Sequence, residues 1–377
     1  MENRRITELK KFASLLLAAL CAAVPLTASS CGSNTSIDSP RAEYSKEFSG
    51  TTLNVFNWGE YISDGSEGSL NVNKAFETLT GIHVNYNTFD SNESMYAKLS
   101  SGAVSYDVVI PSDYMIERMI KEDMLQPLDY AKLTNYDLID GQYKNLFYDP
   151  DNTYSVPYNV GLVGLIYNTT MVEGTPDSWE IMWDEKYTDN ILTFNNPRDA
   201  FGIAQFLLGL DVNSTDKSTW DAAAQKLKEQ NKVLQARVMD EVFSKMEGGN
   251  AAIAPYYAGD FLVMQENNPD LAFVYPKEGT NVFVDAACVP KNASNYEAAL
   301  MYINFLLEPE VALANAEYIC YASPNTAVVT NPDYAYYGEE ILYPDPENLP
   351  RTEYFHDIDP EIRSYYEKLW EGIILSD

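Results

Sequence analysis

From Leu53 onward, short apolar runs of strand character alternate with segments of helical period, and this rhythm limits the chain to an α/β architecture. Leu53–Trp58 reads as a strand. Val72–Leu79 reads as a helix stopped by Gly81, a residue free to take the left-handed conformation that ends helices. Ile82, Val84 and Tyr86 alternate as a second strand, and Met95–Leu99 is helical. Asp107–Ile110 is a short buried strand with Pro111 as its stop, followed by a helix over Met115–Met124. Further strands are predicted at Leu162–Tyr167, Ile191–Phe194, Ala251–Ala254, Leu271–Tyr275 and Phe283–Val289. Helices are predicted at Ala200–Leu210, Trp220–Lys232, Tyr296–Leu307 and Glu310–Ala316. The pattern predicts mainly parallel sheets with helices on both faces, and 377 residues imply two domains rather than one.

Ahead of this body lies a segment of a different kind. Met1–Lys11 carries Arg4, Arg5, Lys10 and Lys11, Phe12–Leu26 is almost wholly apolar, and Thr27–Ser30 is a run of small residues leading into Cys31. Charged head, apolar middle and small-residue exit form the layout of a secretory signal over residues 1–30. A cysteine directly after such an exit resembles a bacterial lipobox, which implies a lipid on Cys31 and an exported, membrane-anchored protein. Residues 32–50 are rich in Ser, Asn, Thr and charge and read as a flexible tether, with a reach of about 25 Å.

Removing residues 1–30 takes the formal charge from −31 to about −33. That acidity argues against nucleic-acid partners, whose phosphates need lysine and arginine, and suits cationic ligands. Only His83 and His356 are present, and no zinc pattern, phosphate loop or nucleophile elbow occurs. The stretch Asp149–Thr153 lacks the glycine and the later glutamate of a calcium loop and reads as a solvated turn. No metal and no cofactor is expected. Cys288 and Cys320 could pair in an exported protein or stay as two buried thiols, and their spacing decides neither.

Aromatics and carboxylates gather where strands end, at Trp58-Gly59-Glu60-Tyr61, Ser112-Asp113-Tyr114, Asn196-Pro197-Arg198-Asp199 and Tyr256-Tyr257, and Phe283-Val284-Asp285 lies in the late strand. Ligands of open α/β sheets sit outside the carboxyl ends of strands. Aromatic faces hold alkylammonium groups with about 0.5–2 kcal/mol each, and carboxylates supply charge-assisted hydrogen bonds to each ammonium. One such cluster is ordinary packing, whereas five with the same content make a box for a flexible organic polycation.

The segments Phe56–Tyr61, Phe76–Val84, Ser91–Leu99, Tyr106–Ser112, Tyr154–Tyr158 and Tyr275–Gly279, with Ala298, Leu300 and Ile303–Leu306, resemble the spermidine/putrescine-binding proteins of bacterial polyamine ABC transporters. The resemblance spans residues 53–372. It implies a two-lobed periplasmic-binding-protein fold of type II, with the ligand cleft between the lobes. Lobe 1 would hold residues 51–161 and 285–329, and lobe 2 residues 162–284 and 330–377, with hinges near 157–162, near 285 and after 324–325.

Carried over by position, Trp58, Glu60 and Tyr61 would contact one end of the polyamine, and Ser112 and Tyr114 would form a second contact loop. Asp199 would pair with an amine, Tyr256 and Phe283 would wall the methylenes, and Asp285 would bind the terminal ammonium with Tyr321 near it. Asn196 stands where the spermidine-type protein has an acid, and Glu367 where it has an amide. Gly59 replaces a hydroxyl residue, and Tyr256 and Phe283 replace tryptophans. The resemblance implies a non-catalytic, monomeric receptor that delivers a polyamine, spermidine favoured over putrescine, to an ABC permease driven by a cytoplasmic ATPase. A polyamine-sensing lipoprotein, a binder of another cationic or amino solute and, remotely, a secreted glycoside hydrolase built on paired acids are the alternative readings.

Overall fold

The computed structural model describes residues 34–375, so the expected signal segment 1–30 and the lipid site Cys31 lie outside the described residues. Ten strands follow in chain order: β1 Thr52–Trp58, β2 His83–Phe89, β3 Val108–Val109, β4 Ser155–Asn168, β5 Ile191–Phe194, β6 Leu234–Val238, β7 Ile253–Tyr257, β8 Leu271–Val274, β9 Thr280–Cys288 and β10 Thr352–Glu353. The helices are α1 Val72–Thr80, α2 Asn92–Ser100, α3 Asp113–Lys121, α4 Pro197–Leu207, α5 Lys217–Gln230 and α6 Glu241–Glu247. Then come α7 Ala258–Asn267, α8 Tyr296–Leu306, α9 Pro309–Ile319, α10 Thr326–Val329 and α11 Pro360–Ile374.

Local chemistry accounts for the boundaries. The Asn71 side chain accepts from the amide of Lys74 to start α1, and Gly81 at φ 75° ends it. Ser91 caps α2 in the same way through the amide of Ser94. Asn196 caps α4, where Pro197 occupies the first turn.

The strands hydrogen-bond in the order β2-β1-β3-β9-β4-β7-β5-β6, with β10 on β9 and β8 on β4. β1 is parallel to β2 and β3, and β5 is parallel to β6 and β7. The joining region is antiparallel: β3 to β9, β9 to β4, and β4 to β7 and β8. The expected strand at Leu162–Tyr167 is thus part of a single strand of 14 residues, buried along its whole length. The stretch near 157–162, expected as a hinge, lies inside this strand, with a register shift between Pro157 and Asn159. β4 and β9 run through both groups and bind them into one sheet path.

Period-two alternation splits β1 between two cores. Leu53 and Val55 join a cluster with Phe76, Ile82, Val108, Ile303 and Phe305, whereas Phe56 joins a second cluster with Val109, Met115, Phe194 and Phe261. No described helix is long and apolar enough to cross a membrane.

Within the described residues, the segment expected as a flexible tether is not free. Ile37, Tyr44 and Phe48 pack against the first core, and the Tyr44 ring meets Phe305 at 5.7 Å. Glu308, 1% exposed, accepts from the amides of Arg41 (2.6 Å) and Ala42 (2.9 Å), the Tyr44 hydroxyl (2.7 Å) and the Asn135 amide (2.8 Å). Arg41 also forms a forked pair with Asp137 at 2.6 and 2.7 Å. Three apolar side chains spread over a polar stretch show no periodicity, which is why its composition misleads. Glu308→Ala is expected to cost about 1–3 kcal/mol by orphaning these donors and to open residues 34–48 to limited proteolysis. Unchanged cleavage of that segment would assign its docking to the three apolar side chains alone.

Cys288 and Cys320 are both buried and both free thiols.

Candidate functional site

At the end of β1 the chain turns through Glu60, held at φ 51°, and brings Tyr61 inward. The Tyr61 carbonyl accepts from the Tyr158 hydroxyl (2.9 Å) and the Asn57 amide (3.3 Å), which fixes the turn. The Tyr61 hydroxyl then donates to Asp285 Oδ2 at 2.6 Å. Ser112, at the end of β3, bridges to Asp285 through the backbone. Asn92 Nδ2 donates to the hydroxyls of Ser112 and Tyr114, both at 3.1 Å. Asp285 is 3% exposed, and its other oxygen, Oδ1, is buried without a partner. Burial pushes its carboxyl up to about 6, against the stabilising hydroxyls of Ser112 and Tyr61.

Across β9 and β7 a second carboxylate is built in the same manner. Asn196, while capping α4, donates its Nδ2 to Asp199 Oδ2 at 2.8 Å, and the Tyr257 hydroxyl donates to the same oxygen at 2.9 Å. Burial raises Asp199 to about 6, with Tyr257 opposing and the charge of Glu93 adding to the rise. A third acid, Asp260 in the first turn of α7, accepts from the Tyr321 hydroxyl at 2.9 Å and is pushed by burial up to about 7.

Aromatic rings connect these acids. Tyr61 meets Tyr321 edge-on at 5.3 Å, Tyr321 meets Phe283 at 6.3 Å, and Phe283 meets Tyr257 edge-on at 5.4 Å. Two glycines permit this path. A Cβ on Gly161, which pairs with Phe283, would fall 2.1 Å from the phenyl ring. A Cβ on Gly259 would fall 2.4 Å from the Tyr321 ring and 2.5 Å from the Cys320 carbonyl oxygen. Each carboxylate is held by hydroxyls or an amide rather than by a lysine or arginine. The neighbouring Arg198 spends its hydrogen bonds on Val212 O, Asn213 Oδ1 and His356 O. Its charge still offsets part of that on Asp199, whereas Asp285 and Asp260 have no such cation and are costly in isolation, so the arrangement favours a ligand that brings positive charge.

The structure thus brings together Tyr61, Ser112, Tyr114, Asn196, Asp199, Phe283, Asp285 and Tyr321 of the residues singled out by sequence. Trp58 lies beside them, tilted on Phe89 at 4.6 Å, with a buried and unpartnered Nε1. Asn196 works as a cap and a holder of Asp199. Glu60 and Glu367 are exposed. Glu367 is close enough that its charge helps to raise Glu93.

Tyr256 lies at the far end of the ring path, tilted on Tyr257 at 4.9 Å rather than against Phe283. Its ring packs on Phe194 at 5.5 Å and Phe243 at 6.2 Å, and its hydroxyl reaches Asp240 at 3.4 Å. Successive strand residues point to opposite faces, so Tyr257 takes the place beside Phe283. The sequence reading also passed over Asp260, because the helix α7 that carries it was not predicted, and Glu93, which accepts from the Tyr114 hydroxyl at 3.0 Å. Both are acids just inside a helix N-terminus next to an aromatic strand end, the one signal available for them. No group of acids, cysteines or histidines among the described residues is arranged to hold a metal ion.

Comparison with known proteins gives the family and the fold. The profile of the family described as "Bacterial extracellular solute-binding protein" matches residues 105–337. A spermidine/putrescine-binding periplasmic protein of Salmonella typhimurium is 36% identical over 330 residues, covering 85% of this chain and 92% of that protein. The crystal structure of a spermidine/putrescine ABC transporter substrate-binding protein from Streptococcus pneumoniae aligns with a TM-score of 0.73 and 35% identity, over 86% of this chain and 99% of that one. A lipoprotein of Treponema pallidum aligns with a TM-score of 0.74 and 25% identity, over 85% of this chain and 99% of that one. The fold is therefore the two-lobed, type II periplasmic-binding-protein fold, and the chain belongs to the bacterial extracellular solute-binding proteins, which are binders and not enzymes.

Proposed function

We propose that this protein captures a polyamine between its lobes, prefers spermidine to putrescine, and delivers it to an ABC permease powered by a cytoplasmic ATPase. The observation that carries the reading is the set of tyrosine-held acids that no lysine or arginine hydrogen-bonds, foremost Asp285 with its unpartnered Oδ1. The ring path from Tyr61 to Tyr257 suits the methylenes that separate amines. When ionised, Asp285, Asp260, Asp199 and Glu93 carry four negative charges and the buried Arg198 beside Asp199 and Glu93 offsets one, which leaves one more than a diamine neutralises, and a surplus buried acid would stay uncompensated. A triamine removes that surplus. The names of the relatives, which include both spermidine and putrescine, support the class.

The lobes are taken as residues 51–161 with 285–329, and 162–284 with 330–377, closing about β4 and β9. Lipid attachment at Cys31 and a position on the extracytoplasmic face of the membrane complete the proposal, as does a monomeric state. The test is calorimetric titration of residues 32–377, stripped of bound ligand by unfolding and refolding, with spermidine and putrescine in parallel. Spermidine is expected to bind at least about tenfold more tightly, the preference that one additional well-placed charge pair supplies. Tighter putrescine would overturn the specificity, and no heat with either would overturn the class.

A further inference from the structure

A second set of contacts crosses between the two halves of the molecule outside the ring path. Residues 354–357, between β10 and α11, belong by their hydrogen bonds to the half that carries α4. Asn213 Nδ2 donates to the Tyr354 carbonyl at 2.8 Å, Asn213 Oδ1 accepts from the His356 amide at 2.9 Å, and Arg198 reaches the His356 carbonyl at 3.4 Å. On its other side the same segment meets α3, which follows β3 in the first half. The Asp357 amide donates to Glu117 Oε2 at 2.8 Å, and Asp357 Oδ2 accepts from Lys121 Nζ at 3.2 Å. Lys121 is in turn paired with Glu117 at 2.9 Å, and Asp357 Oδ1 takes Arg363 Nη1 of α11 at 2.9 Å.

This network differs from a scattered surface pair. The side chains of Asp357, Glu117 and Arg363 are 12%, 17% and 15% exposed, and Asp357 and Glu117 each have at least two polar partners. Isolated exposed pairs contribute little, whereas partly buried networks of fixed geometry contribute measurably. The position matters more than the strength. One side of the network is fastened to α3 and the other, through Asn213 and Arg198, to the residue next to Asp199.

We infer that Asp357, with Lys121 and Glu117, forms an outer clamp that holds the lobes closed over the ligand, and that Asp357 is a positioning residue for binding without touching the ligand. The inference rests on the proposed lobe closure. A contact made only in the closed form adds its free energy to closure and lowers the rate at which ligand escapes.

The experiment is stopped-flow measurement of spermidine association and dissociation for wild type, Asp357→Asn and Lys121→Met, with small-angle scattering of each protein without ligand. Lys121 is about half exposed, so its replacement does not threaten folding. Both variants are expected to release spermidine about fivefold faster, the size of one closure contact, and to show a larger ligand-free radius of gyration. Combining the two substitutions should add little, because each breaks the same contact. Unchanged release together with unchanged scattering would overturn the clamp. If the wild type bound no polyamine, the proposed function would fail by itself, and the ligand-free scattering would still decide the clamp.

Discussion

Asp285→Asn is expected to weaken spermidine binding by more than about thirtyfold, the low end of the 2–5 kcal/mol lost when one member of a buried charged pair is removed. The ligand-free protein should melt at nearly the same temperature. Asp285 is almost fully buried, its Oδ2 is occupied by the Tyr61 hydroxyl, and its Oδ1 has no partner. In the ligand-free state the negative charge therefore has no cation to stabilise it, and an amide of the same shape removes a desolvation cost while keeping the acceptor for Tyr61. With ligand bound, the same amide leaves an ammonium facing a neutral group in a dry site. Calorimetry and thermal melting on one preparation separate the two effects. Unaltered affinity would remove Asp285 from the pocket.

Affinity is expected to fall at least about tenfold between pH 8 and pH 5, and binding is expected to release protons in between. Burial raises Asp199 and Asp285 to about 6 and Asp260 to about 7, all above the ordinary aspartate range near 4. The folded, ligand-free protein therefore binds more protons than the unfolded chain between about pH 4 and pH 7. The contribution of these three acids to stability accordingly declines as pH rises through that window, and their cost is fully present above it. A bound ammonium selects the ionised carboxylate and so reverses the balance, expelling protons when ligand enters below about pH 7. Titrations at pH 6 in two buffers of different ionisation enthalpy measure the number released. Identical heats in both buffers would mean that the acids are already charged before ligand arrives.

Much of this pocket was legible in the sequence because strand ends and helix starts are local events. Tyr61, Ser112 and Asp199 each follow an apolar strand and Asp285 lies within one, and each is found where that placement puts it. Gly81 ends its helix for a reason that three neighbouring residues suffice to supply. Other features depend on residues far apart in the chain. Tyr256 and Tyr257 are adjacent and chemically equal, and only the pairing of β7 against β4 decides which one stands beside Phe283. The segment 34–50 looks unstructured from its composition, and becomes ordered because Glu308, more than 260 residues away, collects its donors.

The sequence by itself determined the α/β class, the alternation that sets both cores, the acidic and aromatic content of the strand ends, and the family. Those follow from periodicity, capping and side-chain chemistry, which act over a few residues. Only the tertiary structure decided that the centre of the sheet is antiparallel, that β4 is one unbroken strand, that both cysteines stay free, and that Asp260 and Glu93 join the site. These depend on which distant surfaces exclude water from one another, and the more fully they do so the more strongly a carboxyl is held in its neutral form.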